Sequence, residues 1–137
     1  MRTPIRNAVI GFITANCLPA ISGIPVVFDD DPFDWSFPPN RFIHIQTVFN
    51  TARQLNMSAA PKSRISGAVY ITHCNKVGQG EVLAATALDA VSGPLEYAIV
   101  LATGYRVNFR EMEPLDLGSP PGWHYVENRS RFYADPA

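Results

Sequence analysis

The sequence predicts an α+β domain built on a single twisted, mainly antiparallel sheet with flanking helices, one N-terminal and one after the central strands. Three observations carry that prediction. Residues 41–50 and 64–73 alternate apolar and polar side chains with the two-residue period of a strand. The N-terminal segment and residues 81–91 space their apolar residues three and four apart, the period of a helix packed on a core. Finally, 137 residues, 47% hydrophobic and 17% charged, suffice for one core and are too apolar for a disordered chain. Residues 1–137 therefore read as a single domain without repeats or linkers.

In chain order, Thr3 can cap the first helix with Pro4 in its first turn, where a missing amide proton costs nothing. Ile5, Val9, Phe12 and Ile13 form its apolar stripe, and Pro19 ends it. A short apolar strand follows at 24–28. Residues 29–40 are too rich in proline and aspartate to continue it, and form a loop with aromatic anchors Phe33, Trp35 and Phe37. In the first alternating strand Ile43, Ile45 and Phe49 share a face, and in the second Ile65, Val69 and Ile71 do. The polar stretch between them predicts a long hairpin loop over 51–63 with a helical turn at 52–55.

The opposite faces of these strands carry Phe42, Val48, Ala68 and Tyr70, too apolar for a solvated surface. Either a second layer of the domain or a neighbouring subunit is expected to cover them. The second helix, 81–91, stacks Ala84, Ala87, Leu88 and Val91 and stops at Ser92-Gly93-Pro94. Residues 97–101 and 105–109 read as a hairpin around Gly104, or the first of them as an extension of the helical region. A proline-glycine loop, 114–122, leads to a last strand, 123–133, in which Glu127, Arg129 and Arg131 project to one side as on an edge strand.

Charge and motif content exclude more than they assign. A formal net charge of -1 supplies no overall attraction to nucleic acid or an anionic membrane. The N-terminal apolar run is interrupted by Asn7, Gly11, Thr14 and Asn16 and is too short to span a bilayer, so neither a cleaved signal nor a membrane anchor is expected. The sequons at Asn56 and Asn128 therefore carry no weight, and Cys17 and Cys74 are expected to be reduced, partly buried thiols. His44, His73, Cys74 and His124 lack any metal-binding spacing, and His73 and Cys74 point to opposite faces of one strand. A Cys74–His124 nucleophile pair lacks an orienting third group. The run DDDPFD lacks the alternation and closing glutamate of a calcium loop, and Gly78-Gln79-Gly80 lacks the lysine of a phosphate cradle. No catalytic residue, cofactor ligand or metal ligand is accordingly expected. A small metal-assisted hydrolase using the aspartates and histidines remains the alternative from another class, and a binding module with an aromatic pocket lacks a convergent polar set.

The succession PVVFDD with a proline-aromatic stretch, RFIHIQ, RISGAVYITH, VGQGEVLAATALDAV and WHYVENRSRFYAD, behind an N-terminal helix, resembles the tail-terminator (minor tail, or tail-completion) proteins of long-tailed bacteriophages and prophages. The resemblance spans nearly the whole chain and lies in the order and spacing of the segments. It implies a small α+β subunit that closes into a homohexameric ring, caps the tail tube once its length is set, and offers a surface to the head connector. It implies no catalysis, and DNA that passes through the lumen without specific binding. A connector stopper or tube subunit is the nearest structural alternative. The implied location is the virion tail or neck, with assembly in the host cytoplasm. On this reading the expected partners are further copies of the chain, the tail tube protein and the connector or stopper protein. The residues expected at interfaces are Asp29, Asp30, Asp31, Phe33, Trp35, Phe42, Tyr70, Glu127, Arg129 and Arg131, and the loop 51–63 is expected to add contacts.

Overall fold

The computed structural model describes residues 2–21, 23–29, 38–54, 63–76, 81–115 and 118–136. Helix α1 (Arg2–Asn16) leads into a 3-10 turn at Leu18–Ile21 and the short strand β1 (Val26–Phe28). Strands β2 (Arg41–Gln54) and β3 (Ser63–Lys76) precede helix α2 (Glu81–Ser92) and a 3-10 turn at Gly93–Leu95. Strands β4 (Ile99–Ala102), β5 (Tyr105–Leu115) and β6 (Trp123–Pro136) complete the chain. The six strands form one sheet in the order β1-β2-β3-β6-β5-β4. β1 runs parallel to β2 and every other neighbour is antiparallel. The expected α+β class, with one mainly antiparallel sheet and flanking helices, is what the chain adopts.

Both helices pack on the same face of the sheet. Ile5, Val9, Ile13 and Cys17 recur every fourth residue along α1, are fully buried, and meet Ile43, Ile45, Val69 and Ile71 of the central strands. Leu88 and Val91 of α2, with Val107, Phe109 and Phe132 of β5 and β6, close the same cluster. Near the middle of this face a glycine is required. Gly67 stands in register between Phe49 and Phe132, and the Phe132 ring lies over it, edge to face with Phe49 at 5.9 Å and 86°.

Four expectations are corrected. Ala52 to Gln54 continue β2, paired with Ile65 to Ser63, where a helical turn was expected. A bulge between Phe49 and Thr51 keeps the long ladder in register, and cross-strand pairing overrides the modest helix propensity of Ala-Arg-Gln. The second correction concerns β5, which runs to Leu115, so Pro114 lies in a strand rather than opening the loop. The third concerns the segment before β4. There the hairpin reading holds, with Gly104 at φ 80° in its turn, but Gly93–Leu95 is a 3-10 turn and the strand begins only at Ile99. The last concerns β6, which lies between β3 and β5 in the middle of the sheet rather than at its edge. Its Glu127, Arg129 and Arg131 project to one side because they face partners on the neighbouring strands.

A candidate interaction surface

The face opposite the helices bears Phe42, His44, Gln46 and Val48 from β2, and Ala68, Tyr70, Thr72 and Cys74 from β3. Trp123, Tyr125, Glu127, Arg129, Arg131 and Tyr133 of β6 stand beside them, by the register of the β3–β6 ladder. Among the described residues no helix covers this face. At one end it is aromatic and dry. Phe42 is 1% exposed and meets Trp123 at 5.9 Å, and Trp123 meets Tyr125 at 6.3 Å. Cys74 lies in this group, and burial pushes its thiol up to about 12.

Polar rows cross the middle of the face. Buried Thr72 donates its hydroxyl to Glu127 at 2.9 Å. Arg129 donates to Glu113 at 2.8 Å, and the same hydrogen bond holds the Glu113 carboxyl below its ordinary value and raises the Arg129 guanidinium. Arg129 also bonds Tyr70 across the β3–β6 pair, and Arg131 approaches Glu113 at 3.6 Å. Four of the residues expected at an interface, Tyr70, Glu127, Arg129 and Arg131, thus share one face with Phe42, and three of them, Tyr70, Arg129 and Arg131, share one network through Glu113 and Arg129. Such half-exposed pairs add little stability but fix the direction of each side chain.

At its far end the face opens into a concavity of about 600 Å³ lined by Arg64, Leu101, Arg106, Asn108, Tyr133 and Asp135. A second concavity, of about 360 Å³, shares Arg64 and Tyr133 and extends to Arg110 and Arg131. Arg64 is bonded to Asp135 at 2.7 and 2.9 Å and stacks on the Tyr133 ring at 4.4 Å. Arg110 approaches the same ring at 5.6 Å. Arg106 and Arg110 are exposed and have no ion-pair partner among the described residues. Sequence reasoning missed these arginines because they are scattered over three strands, and only the sheet order gathers them.

The rim of this concavity is the edge strand β4, where Ile99 is 52% and Leu101 76% exposed. Just before it Tyr97 is 66% exposed, at φ 56°. A left-handed backbone is costly for a tyrosine, and here it is held by a hydrogen bond from the Tyr97 amide to the Arg110 carbonyl. Three large apolar side chains are thus exposed within five residues at a sheet edge, a contiguous patch rather than scattered exposure.

At the other edge Asp29 follows β1. Its carboxylate accepts from Arg6 and from the Thr47 amide, both at 3.4 Å, so this aspartate is tied to its own domain. Asp30, Asp31, Phe33 and Trp35 lie outside the described residues, as does most of the loop 51–63.

The histidines and cysteines are divided by the sheet. His73 and His124 lie on the helix-covered face, and Cys74 lies on the other, which separates it from His124. Arg41 donates to His73 Nε2 at 2.8 Å, and burial together with that guanidinium lowers the imidazole to about 4. Beside it, both amide atoms of buried Asn75 and the Nδ1 atoms of His73 and His124 have no hydrogen-bond partner. His44 stands on the open face with its pKa lowered by burial. Among the described residues no three histidine, cysteine or acidic side chains converge as metal ligands, and no helix is long and apolar enough to cross a membrane.

No family model matches the chain, and no curated protein matches it significantly. The fold has a precedent among solved structures. One chain, whose name describes no function, superposes with a TM-score of 0.76 at 13% identity, covering all of this chain and 96% of the other. At that identity the likeness concerns the fold, over its full length.

Proposed function

We propose that this chain is a structural subunit of a long-tailed bacteriophage or prophage, a tail terminator that assembles with further copies into a ring. The ring, a hexamer on this reading, caps the tail tube, ends its polymerisation and offers the surface to which the head connector joins. The observation that carries the proposal is the apolar edge formed by Tyr97, Ile99 and Leu101, all of which are exposed. A domain whose core is already closed by two helices has no internal use for that surface, whereas a subunit buries it against a neighbour. The resemblance of the segment order in the sequence to that of tail terminators is the second support for the reading. In this role the protein carries no catalytic residue or cofactor, and its partners are its own copies, the tail tube protein and the connector or stopper.

Sedimentation and negative-stain electron microscopy of the purified protein, alone and with tail tube protein, test the proposal. Rings are expected, and strictly monomeric behaviour at high concentration in both conditions would overturn it. Particles lacking the protein separate the terminator from its structural alternatives. Overlong tubes are expected, whereas normal-length tails that fail to join heads would assign a stopper instead.

A further inference from the structure

The strongest charge feature of the sequence follows β1 in the chain, and that of the structure spans the strands from β3 to β5. Four aspartates fall within residues 29–34, DDDPFD, with no cation among them and Trp35 following. The groove made by the concavities that run from β3 to β4 is lined by Arg64, Arg106, Arg110 and Arg131, with Tyr133 in both concavities and Leu101 at the rim. Asp135 pairs with Arg64 and Glu113 with Arg131, which leaves Arg106 and Arg110 as the cations without an ion-pair partner among the described residues. We propose that this groove holds the acidic run of a second copy of the chain, so that subunits join head to tail. This deepens the ring reading above and rests on it.

Complementarity extends beyond charge. Arg106 and Arg110 offer exposed guanidiniums without ion-pair partners to carboxylates, and Ile99, Leu101 and the Tyr133 ring offer apolar surface to Phe33 and Trp35. The occupant is assigned to another copy because the exposed cations of the groove, Arg106 and Arg110, lie on β5, four strands from β1 and about 19 Å away at the usual strand spacing, and its rim Leu101 lies one strand further. Asp31 is two residues from the anchored Asp29, a reach of about 7 Å, and Asp34 is four residues from Pro38, a reach of about 14 Å.

A charge swap tests the contact. Asp30→Lys with Asp31→Lys reverses the run, and Arg106→Glu with Arg110→Glu reverses the groove. Each double variant alone is expected to self-associate at least ~10-fold more weakly than the parent in sedimentation velocity. An equimolar mixture of the two is expected to recover assembly, because each reversed surface then meets a complementary one. The neutral pair Arg106→Gln with Arg110→Gln should fall between, and melting curves within a few degrees of the parent confirm folding.

If the parent forms rings and the reversed variants do so equally well, or the mixture fails to recover, the contact is overturned while the ring reading stands. If the parent stays monomeric even with tail tube protein, both fall. If the groove variants instead lose binding to single-stranded oligo-dT with assembly intact, the groove serves a nucleic acid and the inference is overturned.

Discussion

Replacing Gly67 by alanine adds one methyl group at the most crowded point of the sheet. The new Cβ would stand 2.6 Å from Phe132 Cζ and 3.0 Å from its Cε2, and inside van der Waals contact of the Val48 carbonyl oxygen. The carbonyl cannot retreat easily, because Val48 belongs to the ladder just before the bulge at Phe49/Thr51. The β2–β3 ladder must therefore give at Val48, and the ring must in addition tilt away by roughly 1 Å to reach ordinary contact at about 3.5 Å. That movement disturbs its edge contact with Phe49 at 5.9 Å and its tilted contact with Phe109 at 5.5 Å. Overpacking costs about 1–3 kcal/mol and each disturbed aromatic pair a fraction of about 0.5–1.5 kcal/mol, so the variant should lose about 2–4 kcal/mol. For a domain of this size that is a fall in Tm of about 8–15 °C, read by circular dichroism and checked by urea denaturation. Because the ring carries part of the strain and the Val48 carbonyl the rest, Phe132→Leu should relieve the ring's part, and the double variant should be less destabilised than the sum of the two singles. A Gly67→Ala melting point within about 1 °C of the parent, or strict additivity in the double variant, would refute the reasoning.

Other perturbations test separate parts of the fold. His73 has a folded pKa of about 4 against an ordinary 6.5, so the unfolded chain binds more protons between those values. Stability should be full above pH ~6.5 and fall by up to about 3 kcal/mol as pH drops toward 4, and His73→Gln, which keeps an acceptor for Arg41, should flatten that slope in urea titrations. Burial pushes the Cys17 thiol up to about 11 and that of Cys74 to about 12, so both should resist a disulfide reagent at pH ~8 until the chain unfolds. Rapid labelling of the native protein would contradict their burial. Ile13→Ala removes a fully buried side chain from the α1 stripe and should cost about 2–5 kcal/mol in denaturant titrations.

How much of this was legible in the sequence depended on whether the deciding interaction was local. β2 and β3 were legible because alternation is written into consecutive residues, and both helices because their stripes are. The turn at Gly104 was legible because a glycine stands between two apolar runs. The place of β6 was not, since the charges of Glu127, Arg129 and Arg131 look the same whether they face water or Thr72 and Glu113. The parallel pairing of β1 leaves no mark in its three residues. Of the interaction surface, the acidic run and the half-apolar sheet face were visible in sequence. The arginine groove was not, because Arg64, Arg106 and Arg131 become neighbours only through pairings that span up to 71 residues, as in the Arg64–Asp135 bond.

The placement of these two charge features also bears on the symmetry of the assembly. A two-fold interface centred on one feature alone would set arginines against arginines or aspartates against aspartates, whereas a contact that pairs the two features, reciprocal or head to tail, does not. Both like-charge arrangements are repulsive, and the desolvation that accompanies burial of Leu101 and Tyr97 would make the repulsion worse. Joining one feature to the other head to tail removes that conflict and leaves the same two surfaces open at the ends of any chain of subunits. Such a heterologous contact must either continue indefinitely or close, and closure as a hexamer requires a rotation of about 60° per step. In the proposed ring the six-stranded sheet that joins the two surfaces would set that angle.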